Sequence, residues 1–319
     1  MSPHPIFTLT GNLLWERTLE FADWAAGQAQ RAGRESFQVG GKGVNVAKMC
    51  NRIGATNTAL VFAGGSTGEE CVAWMRERGF ACRAFPAERP TRIGIVVRSA
   101  GRPDTTFFGP DALPGAAAVR GCAEFLDGQP AGGVLAICGS VPGWDGSEYD
   151  PLRAAIERWC DRGAVCVDTY GPALAWFAGK EVALVKINGT EFEGLVAGVG
   201  EPCSRPQRGR LQGPNASRGL DVPLLLAEVR RRFPVKVWIV TDGPGPVWLG
   251  DERGTVRKFT PPKIREVSAT GSGDVFLACM LHGRYHLGKE WGEAVEYSLP
   301  YAAANAAHSG IAEFPDPGQ

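Results

Sequence analysis

The chain has 319 residues, enough for one large domain or two ordinary ones. Hydrophobic residues make up 44% and charged residues 21%, the balance of a globular protein, which excludes wholesale disorder and coiled coil. Lys plus Arg (34) equals Asp plus Glu (34), so no net field gathers nucleic acid or an anionic membrane, and neither is expected as a partner.

No apolar run approaches the roughly 18 residues of a membrane span. The nine cysteines form no CxxC pair and the four histidines do not cluster near them, so a zinc site is not expected. The odd count, and an N-terminus without a basic and then an apolar stretch, predict reduced thiols and a cytoplasmic location.

Taken in chain order, short apolar runs alternate with amphipathic stretches. Ile6–Leu9 predicts a first strand, Val44–Ile53 a helix and Thr58–Ala63 a strand. Gly68–Arg78 predicts a helix closed by Gly79, and Thr91–Arg98 a strand. Val134–Cys138 predicts a buried strand, Leu152–Arg162 a helix closed by Gly163, and Ala164–Asp168 and Val182–Ile187 two further strands. Val222–Phe233 predicts a helix, Val235–Val240 a strand, and Asp274–His286 and Trp291–Ala307 the closing helices. This alternation predicts an α/β fold, a mainly parallel sheet sandwiched by helices. Leu13–Val39 and Arg92–Phe108 read instead as polar-alternating strands and loops that could pair as a small β lid. Gly198–Leu220, rich in Gly, Pro and Arg, reads as a long surface loop.

Four glycine-bearing turns carry the candidate chemistry. In Ala269-Thr270-Gly271-Ser272-Gly273-Asp274 the apolar run that follows begins a helix, so Gly271, Ser272 and Gly273 would present free N–H groups at a helix N-terminus, an anion site. Asp274 beside a bound phosphate would take a proton from an attacking hydroxyl; an N-capping Asp explains the same residues. Gly40-Gly41-Lys42-Gly43-Val44-Asn45 also runs into a helix. Lys42 suits a phosphate and Asn45 a sugar hydroxyl, although an incidental Lys in a strand-to-helix turn would look alike. The spacing is not that of a Walker A loop or a dinucleotide fingerprint. In Lys186-Ile187-Asn188-Gly189-Thr190-Glu191 the Asn and Glu could both face a metal–phosphate cluster through water, or form a capping box, or do both. Thr241-Asp242-Gly243 closes a further strand, where ligands bind in open α/β sheets.

In these motifs, from about residue 6 to 311, the chain resembles the ribokinase-like (PfkB) family of carbohydrate kinases. Gly40–Ala47 is similar to its first signature and Ala269–Asp274 to its second, which carries the catalytic base. Asn188 and Glu191 match its Asn-x-x-Glu motif, and Tyr301–Ile311, with Asn305, resembles the stretch lining the adenine side. The resemblance implies a single kinase domain over 1–319, ATP and Mg²⁺ as cofactors, and a small-molecule sugar or sugar-phosphate substrate. It places Asp274 and the N–H groups of Gly271, Ser272 and Gly273 at catalysis. Lys186, Asn188, Thr241, Gly243, Gly271, Gly273 and Asn305 fall to ATP, and Asn188 and Glu191 to the metal, indirectly. Gly-Gly-Lys-Gly-x-Asn and Thr-Gly-Ser-Gly-Asp resemble the phosphofructokinase and tagatose-6-phosphate kinase branch. There Asn12, Gly41, Lys42, Gly43, Asn45, Arg92 and Ser140 would hold the acceptor, and the lid would support a homodimer.

The sugar side departs from that branch. The turn after strand one is usually Asn-Pro-Ala-x-Asp; here it is Thr10-Gly11-Asn12-Leu13-Leu14-Trp15, with Asn12 the evident polar substitute. The usual Arg-x-Asn on the lid strand is Arg92-Ile93-Gly94. Two alternatives stay open: a kinase of an unphosphorylated sugar or nucleoside, and a non-catalytic sugar-binding relative.

Overall fold

The structure is a computed structural model and describes residues 4–99, 101–102, 104–197 and 221–317. The segment Gly198–Leu220 lies outside the described residues. The fold is the expected α/β sandwich: a nine-stranded, mostly parallel sheet with helices on both faces.

Its strands, in chain order, are β1 (Ile6–Thr10), β4 (Asn57–Ala63), β5 (Cys82–Pro86), β8 (Val134–Cys138), β9 (Ala164–Asp168), β10 (Leu184–Asn188), β11 (Val237–Thr241), β12 (Val247–Asp251) and β13 (Val256–Phe259). In space they run β13-β12-β11-β10-β9-β8-β1-β4-β5. All pairs are parallel except β11–β12 and β12–β13. The central strands β1 and β8 are buried at every position, as continuous apolar runs in a doubly covered sheet require.

The two faces sort by alternation along each strand. Ile6 packs toward α1 (Lys42–Arg52), α8 (Ser272–Tyr285) and α9 (Trp291–Ala306). Phe7 and Leu9 pack toward α3 (Ala116–Asp127), α4 (Asp150–Cys160), α5 (Gly171–Ala178) and α7 (Val222–Arg232). Val275 to Leu281 of α8 are all buried, so this helix is a core element rather than an amphipathic surface one. The sequence reading did not anticipate α3 and α5, and it began α2 (Gly65–Glu77) three residues late. The buried stripe of α3 is Ala118, Val119, Cys122, Ala123 and Leu126, mostly small residues, and α5 is eight residues apolar nearly all round, so it shows no polar face to set a period.

A second, four-stranded sheet has the order β3 (Arg34–Gly40), β2 (Leu14–Phe21), β6 (Arg92–Ser99), β7 (Thr105–Phe108). It uses the two polar-alternating segments, and its β3 leads straight into α1. The chain leaves β1 toward β4 and β5 on one side and returns through β8 toward β9 on the other. Loops after β1 and β8 therefore diverge, opening a crevice at the carboxyl ends of these strands, where such sheets bind ligands.

Candidate active site

Helix α8 begins under that crevice. Its N-cap, Gly271, has φ +75°, a left-handed conformation natural to glycine, and a Cβ there would come within 2.6 Å of the Ile311 side chain. Among the described residues no protein acceptor meets the N–H of Gly271 or Gly273, so both remain available at the positive end of the helix dipole. The N–H of Ser272, also expected free, instead donates to Ala269 O at 3.2 Å because the tight glycine turn folds it back. Asp274 does not cap the helix. It is 6% exposed, and its Oδ2 accepts from Asn45 Nδ2 at 2.7 Å. Burial pushes its pKa up to about 6, with Lys42 opposing the rise, Asp168 adding to it and the Asn45 hydrogen bond opposing it. The second and first glycine motifs, 229 residues apart, thus meet in one hydrogen bond.

Beside Asp274 lies a row of alternating charges. Asp168, at the end of β9 and fully buried, accepts from Lys42 Nζ at 2.7 Å and from Lys186 Nζ at 2.5 Å. Burial opposes its charge, but the two ammonium groups hold its pKa below the usual carboxylate range. Burial likewise opposes the charge on Lys42, yet Asp168, Glu191 and Asp274 raise its pKa, so Lys42 stays protonated. Lys186 also lies against the start of α8: its Nζ is 3.0 Å from where a Cβ on Gly273 would stand. Glu191 sits 3.9 Å from Lys42, and burial raises its pKa although Lys42 works against this. The capping box anticipated at Asn188 is present: Asn188 N–H donates to Glu191 Oε2 and Glu191 N–H donates to Asn188 Oδ1, both at 2.9 Å.

The crevice between β1 and β8 holds a small cleft lined by Thr10, Asn12, Gly41, Lys42, Arg92 and Ser140, with Tyr170 at its edge. Gly41, the N-cap of α1, has φ +117°, and a Cβ there would press on Thr10 Cγ2 at 2.6 Å. Gly43 packs as closely on Thr10 from the first turn of the helix. Asn12 Nδ2 donates to Ser140 Oγ at 3.1 Å and to Asp111 Oδ1 at 2.7 Å. Arg92, at the start of β6, pairs with Asp111 at 3.4 Å. Asn12, Gly41, Lys42, Arg92 and Ser140 therefore converge on one cleft, and Asn45, in the first turn of the same helix as Lys42, bonds to Asp274.

At the neighbouring strand end, Thr241 lies in register with Asn188, and Gly243 follows in a left-handed turn at φ +51°. Asn305 is placed differently from a surface contact. It is buried, its Nδ2 donates to Thr270 O and Ser272 Oγ, and its Oδ1 accepts from Ala312 N–H. Its amide braces the glycine turn from behind.

Three carboxylates at this site escaped the sequence reading. Asp168 stands at the end of a strand that was recognised, but its two lysines come from other elements. Asp111 follows β7 in a loop with no motif. Glu16, on β2, accepts from Gln38, and its Oε2 is 3.3 Å from where a Cβ on Gly40 would be. Burial raises its pKa, with Gln38, Arg98 and Arg92 opposing. An acidic residue four positions past Asn12 was the available signal.

Comparisons with known proteins bear on the family and the fold. The pfkB family carbohydrate kinase profile matches residues 9–125. The chain is 30% identical over 309 residues to D-tagatose-1-phosphate kinase of Bacillus licheniformis, covering 97% of this chain and 94% of that protein. It is 28% identical over 250 residues to ATP-dependent 6-phosphofructokinase isozyme 2 of Escherichia coli (strain K12), covering 76% and 74% respectively. In fold it matches the tetrameric inhibited form of phosphofructokinase-2 from Escherichia coli with a TM-score of 0.81, over 95% of this chain and 94% of that one, at 24% identity.

Proposed function

The chain belongs to the pfkB family of carbohydrate kinases, phosphotransferases with an alcohol group as acceptor, and from that premise we propose that it transfers the γ-phosphoryl group of ATP to a hydroxyl of a ketohexose phosphate. The observation that carries this reading is Asp274: a buried carboxylate in the first turn of α8, bonded to Asn45 and poised to ionise at about pH 6. Ionised, it takes the proton of the acceptor hydroxyl while that oxygen bonds to the γ-phosphorus. The bond from phosphorus to the bridging oxygen of ADP breaks as the new one forms. The N–H groups of Gly271 and Gly273, the α8 dipole and Lys186 stabilise the charge on the migrating group. The acceptor lies in the β1–β8 cleft against Asn12, Gly41, Gly43, Asn45 and Ser140, with Lys42 and Arg92 toward its existing phosphate.

Mg²⁺, when bound, would neutralise charge on the β- and γ-phosphate oxygens. The residues fit an indirect role. Among the described residues no three His, Cys, Asp or Glu side chains stand close enough to cage a metal. Asn188 and Glu191, already bonded to each other, keep lone pairs suited to the waters of a hydrated ion. Thr241 and Gly243 flank the nucleotide side, and Asn305 holds the turn that faces it.

The second sheet serves as a lid that excludes water from the cleft, since it supplies Arg92 and its β3 continues into Gly41. Its exposed Ile93, Phe107 and Phe108 suit it to pair with a second copy of the chain. Among the described residues no helix is long and apolar enough to cross a membrane. The eight cysteines described are free, which supports a cytoplasmic location.

One observation favours a kinase of an unphosphorylated sugar: Lys42 and Arg92 each already face a carboxylate. ADP release measured with fructose and tagatose, their 1- and 6-phosphates, ribose and nucleosides separates the readings. The sugar-phosphate reading expects turnover with a ketohexose phosphate and competitive blocking of the acceptor site by inorganic phosphate. Silence across the panel would overturn the kinase mechanism on this chain.

A further inference from the structure

We propose that Asp111 is a specificity-determining carboxylate of the acceptor site, taking a hydroxyl hydrogen of the sugar on its free oxygen and, through Asn12, turning Ser140 into a donor. The inference rests on the kinase reading above and concerns how that site chooses its alcohol.

The polarity of the hydrogen bonds carries it. An ionised carboxylate can only accept, so Asn12 must turn its amide NH₂ toward Asp111; the reverse orientation would set a carbonyl oxygen against a negative charge. That NH₂ donates to Asp111 Oδ1 at 2.7 Å and to Ser140 Oγ at 3.1 Å. Ser140 Oγ accepts from Asn12, and its own hydrogen meets no acceptor among the described residues. Asn12 Oδ1 is left buried with no donor. Asn12, Ser140 and Arg92 all line the cleft. One residue at the rim thus sets the donor and acceptor pattern of its floor.

Asp111 itself is available to a ligand. Its side chain is 59% exposed, and among the described residues no donor meets its Oδ2. It is not a loose rim residue. The loop from β7 to α3 is tied down before it, where Gly109 N–H donates to Ile93 O at 2.8 Å, and after it, where Pro114 O accepts from Glu88 N–H at 3.1 Å. Arg92 faces it at 3.4 Å, too long for a strong bidentate pair, so its second oxygen is not committed to the guanidinium. The combination of an open carboxylate oxygen and a hydroxyl forced to donate matches a polyol, whose O–H groups both give and take hydrogen bonds. The rival role for Asp111, a guard competing with substrate phosphate for Arg92, makes the opposite prediction.

The test uses the full chain with Asp111→Asn and Asp111→Ala. The acceptor is whichever of fructose 6-phosphate, fructose 1-phosphate, tagatose 6-phosphate and tagatose 1-phosphate the wild type uses best. The acceptor KM is expected to rise roughly tenfold to a hundredfold, the worth of one hydrogen bond to a charged group. The kcat at saturating acceptor, the KM for ATP and the melting temperature should stay near wild type, and Asp111→Glu should recover part of the loss. An unchanged or lower acceptor KM overturns the proposal while leaving the kinase reading intact. A fall in kcat and melting temperature together, with the acceptor KM unmoved, shows a structural role and overturns it as well. If the wild type turns over none of the four, both readings fall.

Discussion

Replacing Asp274 by asparagine separates what this carboxylate does for chemistry from what it costs the fold. The side chain keeps its shape, and the new amide oxygen could still accept from Asn45 Nδ2, so the bond at 2.7 Å need not be lost. What disappears is a buried negative charge. The folded protein raises the carboxyl from its ordinary 3.8 to about 6, with burial the leading cause, which converts to about 3 kcal/mol against the ionised form. Because the folded pKa lies above the unfolded one, the group's contribution is fully present below pH 3.8 and is lost as pH rises through about 6. D274N does not titrate and escapes that loss. With an unfolding entropy of about 0.7 kcal/mol/K for a chain of this length, D274N should melt ~4 °C above wild type at pH 7 and level with it near pH 4.

Turnover should move the other way. Removing a general base costs at least about 100-fold in kcat, and the wild-type rate should climb with pH through about 6 and then level off. Differential scanning calorimetry at several pH values and a steady-state pH profile read the two halves independently. Turnover within tenfold of wild type would refute the base. A melting temperature at pH 7 equal to or below wild type would refute the claim that this charge is held at a cost.

Glu191→Gln should raise the Mg²⁺ concentration for half-maximal rate about tenfold, as loss of a residue supporting metal water does; a Mg²⁺ titration at fixed ATP that matches wild type would remove Glu191 from the metal side. Sedimentation at micromolar concentration should give a dimer that Phe107→Asp with Phe108→Asp returns to monomer, and a monomeric wild type would refute pairing through the second sheet.

Local chemistry made the turns legible. The helix start at Gly271–Asp274, the capping box of Asn188 and Glu191, and the strand-to-helix turn at Gly41–Gly43 each depend on residues within a few positions of one another. Backbone geometry there follows from glycine freedom and from the donors a helix start leaves open, so a short stretch of sequence suffices. The sandwich itself was readable because buried parallel strands leave continuous apolar runs. The helices α3 and α5 were not: the stripe of α3 is mostly small residues, and α5 is apolar nearly all round over eight residues, so no polar face sets its period.

The partners of the charged groups belong to the tertiary structure alone. Lys42 finds Asp168 across 126 positions, Asn45 finds Asp274 across 229, and Asn12 finds Asp111 across 99. Asn305, which the resemblance put on the nucleotide side, is engaged with backbone behind the turn. Sequence spacing says which groups a turn will present. Which opposite charge a group meets, and so its pKa and its part in the site, depends on strands that are adjacent in the sheet and distant in the chain. Coulomb attraction and desolvation act through space, and only the folded sheet brings those distances down to a few ångströms.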